Sequence, residues 1–184
     1  TLYEARNEHD EGTFLVQTIL QSSTSMNDIA ILYRTNAQSR VIEEALLHAG
    51  IPYILIGGTR FYERKEIKDV VAYLRVLSNP NDSVSYNRIE KLGKGRFKKF
   101  IEFSKPLEDK SMLIKHSTLE LLDQVLEVTD YLSLYDVNIE EEAYRLENIK
   151  ELRSVASEFP DLTDFLENVA LVEREYEPDN LKKR

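Results

Sequence analysis

Two short apolar runs decide the fold at the start of the chain: residues 28–33, with the sequence DIAILY, and residues 52–56, with the sequence PYILI. Both runs are rich in β-branched or aromatic residues and too short for a helix, which is typical of strands buried on both faces. Between them, residues 36–48 carry apolar side chains at helical spacing and are followed by Gly50, a helix stop signal. The order of strand, helix and strand predicts an α/β fold with parallel strands.

The pattern on either side of these runs divides the chain in two. Residues 2–5 read as a short opening strand, and residues 12–21 as an amphipathic helix after it. Beyond Phe61 the periodicity is helical throughout, until residues 79–81 interrupt it. We therefore predict a partial α/β domain over residues 1–80 and an all-α helical subdomain over residues 81–184. The helical stripe that opens the second part consists of Ile67, Val70, Val71, Leu74 and Leu77.

Composition limits the classes of protein that fit. The chain has 184 residues, a net charge of −9 and no cysteine, so a disulfide scaffold and thiolate chemistry are excluded. No apolar run is long enough for a membrane span, no signal peptide is present and the first residue is not Met. We expect a cytoplasmic piece of a longer protein with no membrane partner. Residues 1–105 carry 15 basic and 13 acidic side chains, so the acidic excess lies in the second part.

The end of the first apolar run places an aromatic residue and a cation before a helix. Tyr33 and Arg34 occupy this position. Ligands bind at the carboxyl ends of strands in α/β folds, and an aromatic ring with an arginine can hold a base and a phosphate. The alternative is a core tyrosine beside a surface arginine.

The segment of residues 57–69 joins a Gly-Gly turn to several cations and two aromatic residues. Arg60, Arg64 and Lys68 could neutralise a phosphate backbone while the aromatic rings stack on bases. The alternative is a charged start of a helix, where Glu63 and Glu66 form solvated ion pairs with the cations.

Residues 91–100, with the sequence KLGKGRFKKF, form the most basic run of the chain. The run contains no acidic residue, and its glycines open a helix whose exposed N–H groups favour anions. The alternative is a solvated helix face with the two phenylalanines in the core. No P-loop string occurs in the chain, and its three histidines are isolated, so we predict no metal site. The cations of interest are Lys94, Arg96, Lys98 and Lys99.

The stretch of residues 31–46, ILYRTNAQSRVIEEAL, resembles helicase motif IV of the superfamily 1 UvrD/PcrA/Rep DNA helicases. Residues 57–75 are similar to the next block of that family, and residues 144–152 to the Arg-Leu-Glu-Asn helix of its 2B subdomain. The resemblance implies that residues 1–80 are part of the second RecA-like domain, 2A, and that the helical part is a short 2B subdomain. The whole protein is then an ATP-dependent 3′–5′ DNA helicase that unwinds duplex DNA in repair or replication.

The resemblance also implies roles for individual residues. Tyr33 corresponds to the tyrosine that stacks on the adenine of ATP, and Arg34 to the catalytic arginine that contacts the γ-phosphate. Arg60, Arg64 and Lys68 fall in a block associated with single-stranded DNA. Lys94, Arg96, Lys98 and Lys99 fall where the family has a Gly-Ile-Gly contact to duplex DNA, although the apolar middle residue is missing here.

The absence of Walker A and Walker B motifs limits what this chain does alone. ATP and Mg²⁺ belong to the full-length enzyme, so we expect the fragment to bind neither and to be inactive. Its partners are expected to be DNA at a junction of single and double strands, and the remaining helicase domains. The alternative is a non-catalytic DNA-binding or protein-interaction module derived from a helicase.

Overall fold

The structure is a computed structural model and describes residues 2–34, 38–56 and 58–175. Within these ranges the secondary structure consists of helices and short 3-10 turns, with no strand. The chain divides into two compact units, the first ending at Phe61 and the second spanning Tyr62–Arg174. The helices are α1 (Glu8–Gln21), α2 (Ser39–His48), α3 (Lys65–Ser78), α4 (Ser83–Glu90), α5 (Lys94–Ser104), α6 (Lys110–Leu113), α7 (Thr118–Thr129), α8 (Glu140–Glu158) and α9 (Leu162–Glu175).

The first unit is built on the packing of α1 against α2. Helix α1 begins after Asn7, whose side-chain oxygen accepts the N–H of Asp10 at 2.8 Å and so caps the first turn. The two helices are in close contact at Gly12, where a Cβ atom would lie 3.0 Å from the Cβ of Ala45. Glycine at this position therefore allows the two backbones to come together.

The end of α2 confirms the predicted stop at Gly50. This residue has a φ of 66°, and its N–H donates to the carbonyl of Leu47 at 2.8 Å. The N–H of Ile51 donates to the carbonyl of Leu46 at 2.9 Å, which closes the helix end. The predicted start of this helix at residue 36 lies outside the described residues.

The α/β fold predicted for the partial RecA-like N-terminal part is wrong for the described residues. Residues 29–34 and 51–56 alternate in burial with the period of two that belongs to a strand, but no backbone ladder joins them or residues 2–5 to a neighbour. Leu32, Ile54 and Ile56 are 94%, 88% and 89% exposed. A sheet forms only when extended segments are paired by backbone hydrogen bonds. Alternating hydrophobicity indicates that a segment is extended, but it does not show that the segment is paired. The inward side chains Ile29, Ile31 and Tyr53 pack on the cluster of Ile19, Leu46 and Ile51.

The second unit is all-helical, as predicted, and is centred on α3. This helix packs against α4, α7 and α8, and the whole predicted stripe from Ile67 to Leu77 is buried. Helix α4 begins with a side-chain cap, because the carboxylate of Asp82 accepts the N–H groups of Val84 and Ser85 at 3.1 Å. Residues 79–81, the predicted boundary, lie between α3 and α4 inside this unit. In the described part of the chain, no helix combines the length and hydrophobicity that crossing a membrane requires.

Candidate nucleic-acid interface

The basic run of residues 91–100 forms the turn before α5 and most of that helix. Gly93 has a φ of 127°, a conformation that side chains rarely adopt, and its carbonyl accepts the N–H of Phe97 at 2.9 Å. No side chain caps the first turn of α5. A Cβ at Gly95 would have no atom within 4 Å. The positive end of α5 therefore lies in open space that a phosphate group could enter.

The aromatic residues of this run point inward and its lysines point outward. Phe100 is fully buried, with its ring 4.8 Å from that of Tyr73. Phe97 is half-buried and meets the ring of Tyr86 edge-on at 5.1 Å. The phenylalanines thus lie on the core side of α5, as the alternative interpretation of this run predicts, and the lysines lie on its outer side. The exposed cations on the outer side are Lys94, Lys98 and Lys99.

Arg96 connects this helix to the end of α7. Its guanidinium donates to the hydroxyl of Ser133 at 3.0 Å and to the carbonyl of Asp130 at 3.4 and 3.5 Å. Asp130 closes α7 in a left-handed conformation with a φ of 51°. A cation at the carboxyl end of a helix is favourable because that end carries partial negative charge. Arg96 therefore orients the basic run as well as adding charge to it.

The three cations of the second predicted group have different surroundings. Lys68 is exposed on α3, and Arg60 is half-buried in the first unit. Arg64 is buried, and its guanidinium donates to the side-chain oxygen of Asn148 in α8 at 2.7 Å. The amide nitrogen of Asn148 in turn donates to the buried carboxylate of Glu66 at 2.6 Å. Glu66 is therefore part of the core rather than of a solvated ion pair.

Tyr33 and Arg34 follow the first extended segment and precede α2. Tyr33 is half-buried and Arg34 is exposed, and the N–H of Arg34 donates to the side chain of Gln38 at 3.0 Å. An aromatic ring and a guanidinium suit the base and a phosphate of ATP. The sequence has no P-loop to cradle the other phosphates. Among the described residues, no three His, Asp or Glu side chains come together as a cation site.

Comparison with known protein families shows to which family this chain belongs. The family model described as the UvrD-like helicase C-terminal domain matches residues 1–105, more than half of the chain. The chain belongs to this family. The match includes all nine predicted site residues, and it confirms the resemblance to UvrD/PcrA-type helicases that the sequence around motif IV indicates.

Relatives of this UvrD-like chain extend the similarity to its helical part. ATP-dependent DNA helicase UvrD1 of Mycobacterium tuberculosis H37Rv is 37% identical over 234 aligned positions, which cover 92% of this chain and 30% of the relative. ATP-dependent DNA helicase PcrA of Bacillus subtilis 168 is 36% identical over 218 positions, with the same coverage. The chain thus spans about 30% of the length of these relatives. Both alignments are longer than the 184 residues of the chain, so the relatives contain insertions that it lacks.

Sequence reasoning on the UvrD-like chain missed a second part of its buried polar network. Asp69 on α3 accepts from Arg88 at 2.6 Å and from the hydroxyl of Tyr131 at 2.9 Å. Tyr131 lies 3.0 Å from the hydroxyl of Tyr135, which must be the donor because the proton of Tyr131 faces Asp69. Burial, then the carboxylate of Asp69, raises the pKa of Tyr131 well above its usual range. The only sequence signal for this network was the Arg-Leu-Glu-Asn stretch, which contains Asn148.

Proposed function

We propose that this chain is part of an ATP-dependent DNA helicase and that residues 91–100 bind the phosphate backbone of duplex DNA at a junction. The observation that supports this most directly is the arrangement of α5, where Lys94, Lys98 and Lys99 are exposed along a helix with an open amino terminus. The relatives named ATP-dependent DNA helicases supply the enzymatic context.

The chemistry of α5 suits a motor that works on any sequence. Lysines and helix N–H groups contact phosphate oxygens, which fixes a protein on the duplex without reading bases. Arg96 contributes charge and, through Ser133 and Asp130, keeps the lysines in place. We assign contact with single-stranded DNA to Arg60 and Lys68, whereas Arg64 acts through Asn148 to hold the start of α3.

The nucleotide side of the proposal rests on Tyr33 and Arg34. ATP with Mg²⁺, when bound to the full-length enzyme, supplies the phosphoryl-transfer chemistry that drives movement along DNA in the 3′–5′ direction. The ring of Tyr33 offers a face for the adenine, and the guanidinium of Arg34 offers planar donors to the γ-phosphate. The P-loop and the cation ligands come from other parts of the enzyme, so the 184-residue chain is expected to hydrolyse no ATP.

The DNA-binding proposal is tested with a fluorescent hairpin that has a single-stranded tail, titrated with the chain at several salt concentrations. Replacing Lys94, Lys98 and Lys99 by glutamine is expected to weaken binding and to lower the slope of log K against log salt by about 2 to 3, since each phosphate contact contributes about 0.9. The matched control replaces Lys110, Lys115 and Lys150 by glutamine and should bind DNA as wild type does. Equal losses of affinity in both triple variants would refute the assignment to α5.

A further inference from the structure

A second surface of the helical unit has the opposite charge from α5. It lies between α7 and α8, and we call it the 132–144 patch. Five large apolar side chains are exposed within these 13 residues, with Val137 68% and Ile139 49% exposed. Clusters of exposed apolar side chains mark interaction surfaces, whereas single ones are ordinary. The patch consists of Leu132, Leu134, Val137, Ile139 and Tyr144.

The surroundings of the patch are mainly acidic. Two cations lie beside it: Arg96, which donates to Ser133, and Arg145, which is paired with Glu141. Residues 117–144 contain eight carboxylates and no lysine or arginine. Asp130, Asp136, Glu140 and Glu141 are exposed next to the apolar side chains. A rim with an excess of carboxylates favours basic partners and repels the phosphate backbone of DNA.

The backbone under the patch is held by hydrogen bonds before any partner arrives. The N–H of Asp136 donates to the carboxylate of Glu142 at 2.6 Å, and the N–H of Ile139 donates to the carbonyl of Asp136 at 3.1 Å. Tyr135 bonds to the buried Tyr131, and the guanidinium of Arg145 lies 5.8 Å from the centre of the Tyr135 ring. A surface that is ordered in advance loses little conformational entropy on binding.

We propose that the 132–144 patch docks a basic amphipathic segment of a partner protein. The apolar side chains of that segment cover Val137 and Ile139, and its lysines or arginines face the acidic rim. The cation-rich α5 helix and the acidic patch then serve different ligands, DNA and protein. The exposed lysines proposed to contact DNA are not part of this patch, and the two surfaces are joined by Arg96, which donates to Ser133 and to the carbonyl of Asp130.

The probe for this proposal is an 18-residue helical peptide of leucine and lysine with its leucines on one face, labelled with a dye. A second peptide with glutamate in place of lysine is the charge control. Anisotropy should show binding of the lysine peptide alone, and amide chemical shifts of the chain should change around residues 132–144. Binding of both peptides, or shift changes confined to other surfaces, would overturn the proposal.

The variant Val137→Asp/Ile139→Asp separates docking from general attraction. It makes the chain more acidic, so simple electrostatic binding would become tighter, whereas docking predicts binding about tenfold weaker or more. Leu171→Asp, at an exposed site on α9, is the matched control and should bind as wild type. Sedimentation of the chain alone tests a second copy as the occupant: a dimer that the double variant abolishes would overturn the proposal. Helical circular dichroism confirms that each variant is folded.

Discussion

Replacement of Asn148 by alanine is expected to destabilise the helical unit strongly. This side chain is the link between two buried charges, since it accepts from Arg64 and donates to Glu66. Alanine removes both hydrogen bonds. Water cannot easily replace them, because the side chains of Arg64 and Glu66 are buried in the core. The guanidinium of Arg64 and the carboxylate of Glu66 would each lose their shared hydrogen-bond partner, and the polar groups around them would have to rearrange.

The expected magnitude follows from the two bonds. Each joins a neutral amide to a charged group at 2.7 Å or less, and such bonds contribute about 1.5 to 3 kcal/mol. Their joint loss should cost about 3 to 5 kcal/mol. Glu66→Gln is milder, because its side-chain oxygen still accepts from Asn148 and only the charge is lost, so we expect about 1 kcal/mol.

Hydrogen exchange of amides in α3 and α8 measures this effect locally. A loss of 3 kcal/mol corresponds to protection reduced by about two orders of magnitude. Asn87→Ala is the matched control, because Asn87 is exposed on α4 and its loss should change stability by no more than about 0.5 kcal/mol. If Asn148→Ala exchanged like Asn87→Ala, the network would contribute nothing to stability and our reasoning about it would be refuted.

Three further predictions concern packing, nucleotide turnover and pH. Gly12→Val should destabilise the first unit by about 1 to 3 kcal/mol in thermal melts, because its side chain meets Ala45, whereas Gly95→Ala should be neutral or stabilising by up to about 1 kcal/mol. Arg34→Ala, made in the full-length enzyme, should abolish most ATPase activity in a coupled assay but leave DNA binding intact, and unchanged turnover would contradict its proposed role. Burial opposes ionisation of Asp82, but hydrogen bonds from the first turn of α4 outweigh it and lower its pKa below 3.8. The stability advantage of wild type over Asp82→Asn should therefore be present above pH 3.8 and disappear as the pH falls through the lowered pKa, which urea titrations at several pH values measure.

Local signals in the sequence were enough to predict most of the helical structure. The stripe of α3 and the left-handed Gly50 both follow from residues that act within one or two turns of themselves. The α/β prediction failed because pairing depends on a second strand elsewhere. The alternation of apolar side chains in residues 51–56 indicates an extended backbone, but it does not show whether a partner strand lies beside this segment.

The candidate site was predictable to a different degree at each residue. The composition of residues 91–100 identified the lysines of α5, and the burial of Phe100 agrees with the alternative interpretation of this run, which placed both phenylalanines in the core. The surroundings of Arg64 could not be predicted, because its partner Asn148 is 84 positions away along the chain. Asp69 and Glu66 are charged, so composition suggested a solvated face, and only tertiary packing shows that both are buried.

The charged groups in the core of the helical unit also determine how α8 can lie on α3. An interface of leucines alone would accept a shift by one helical turn, about 5.4 Å, with little loss. Here the same shift would separate Asn148 from Arg64 and Glu66 and leave ions facing hydrocarbon. We expect that apolar substitution of all three residues would keep or raise the melting temperature while permitting more than one alignment of the two helices. The buried polar residues thus favour a single alignment of α8 on α3, at some cost in stability.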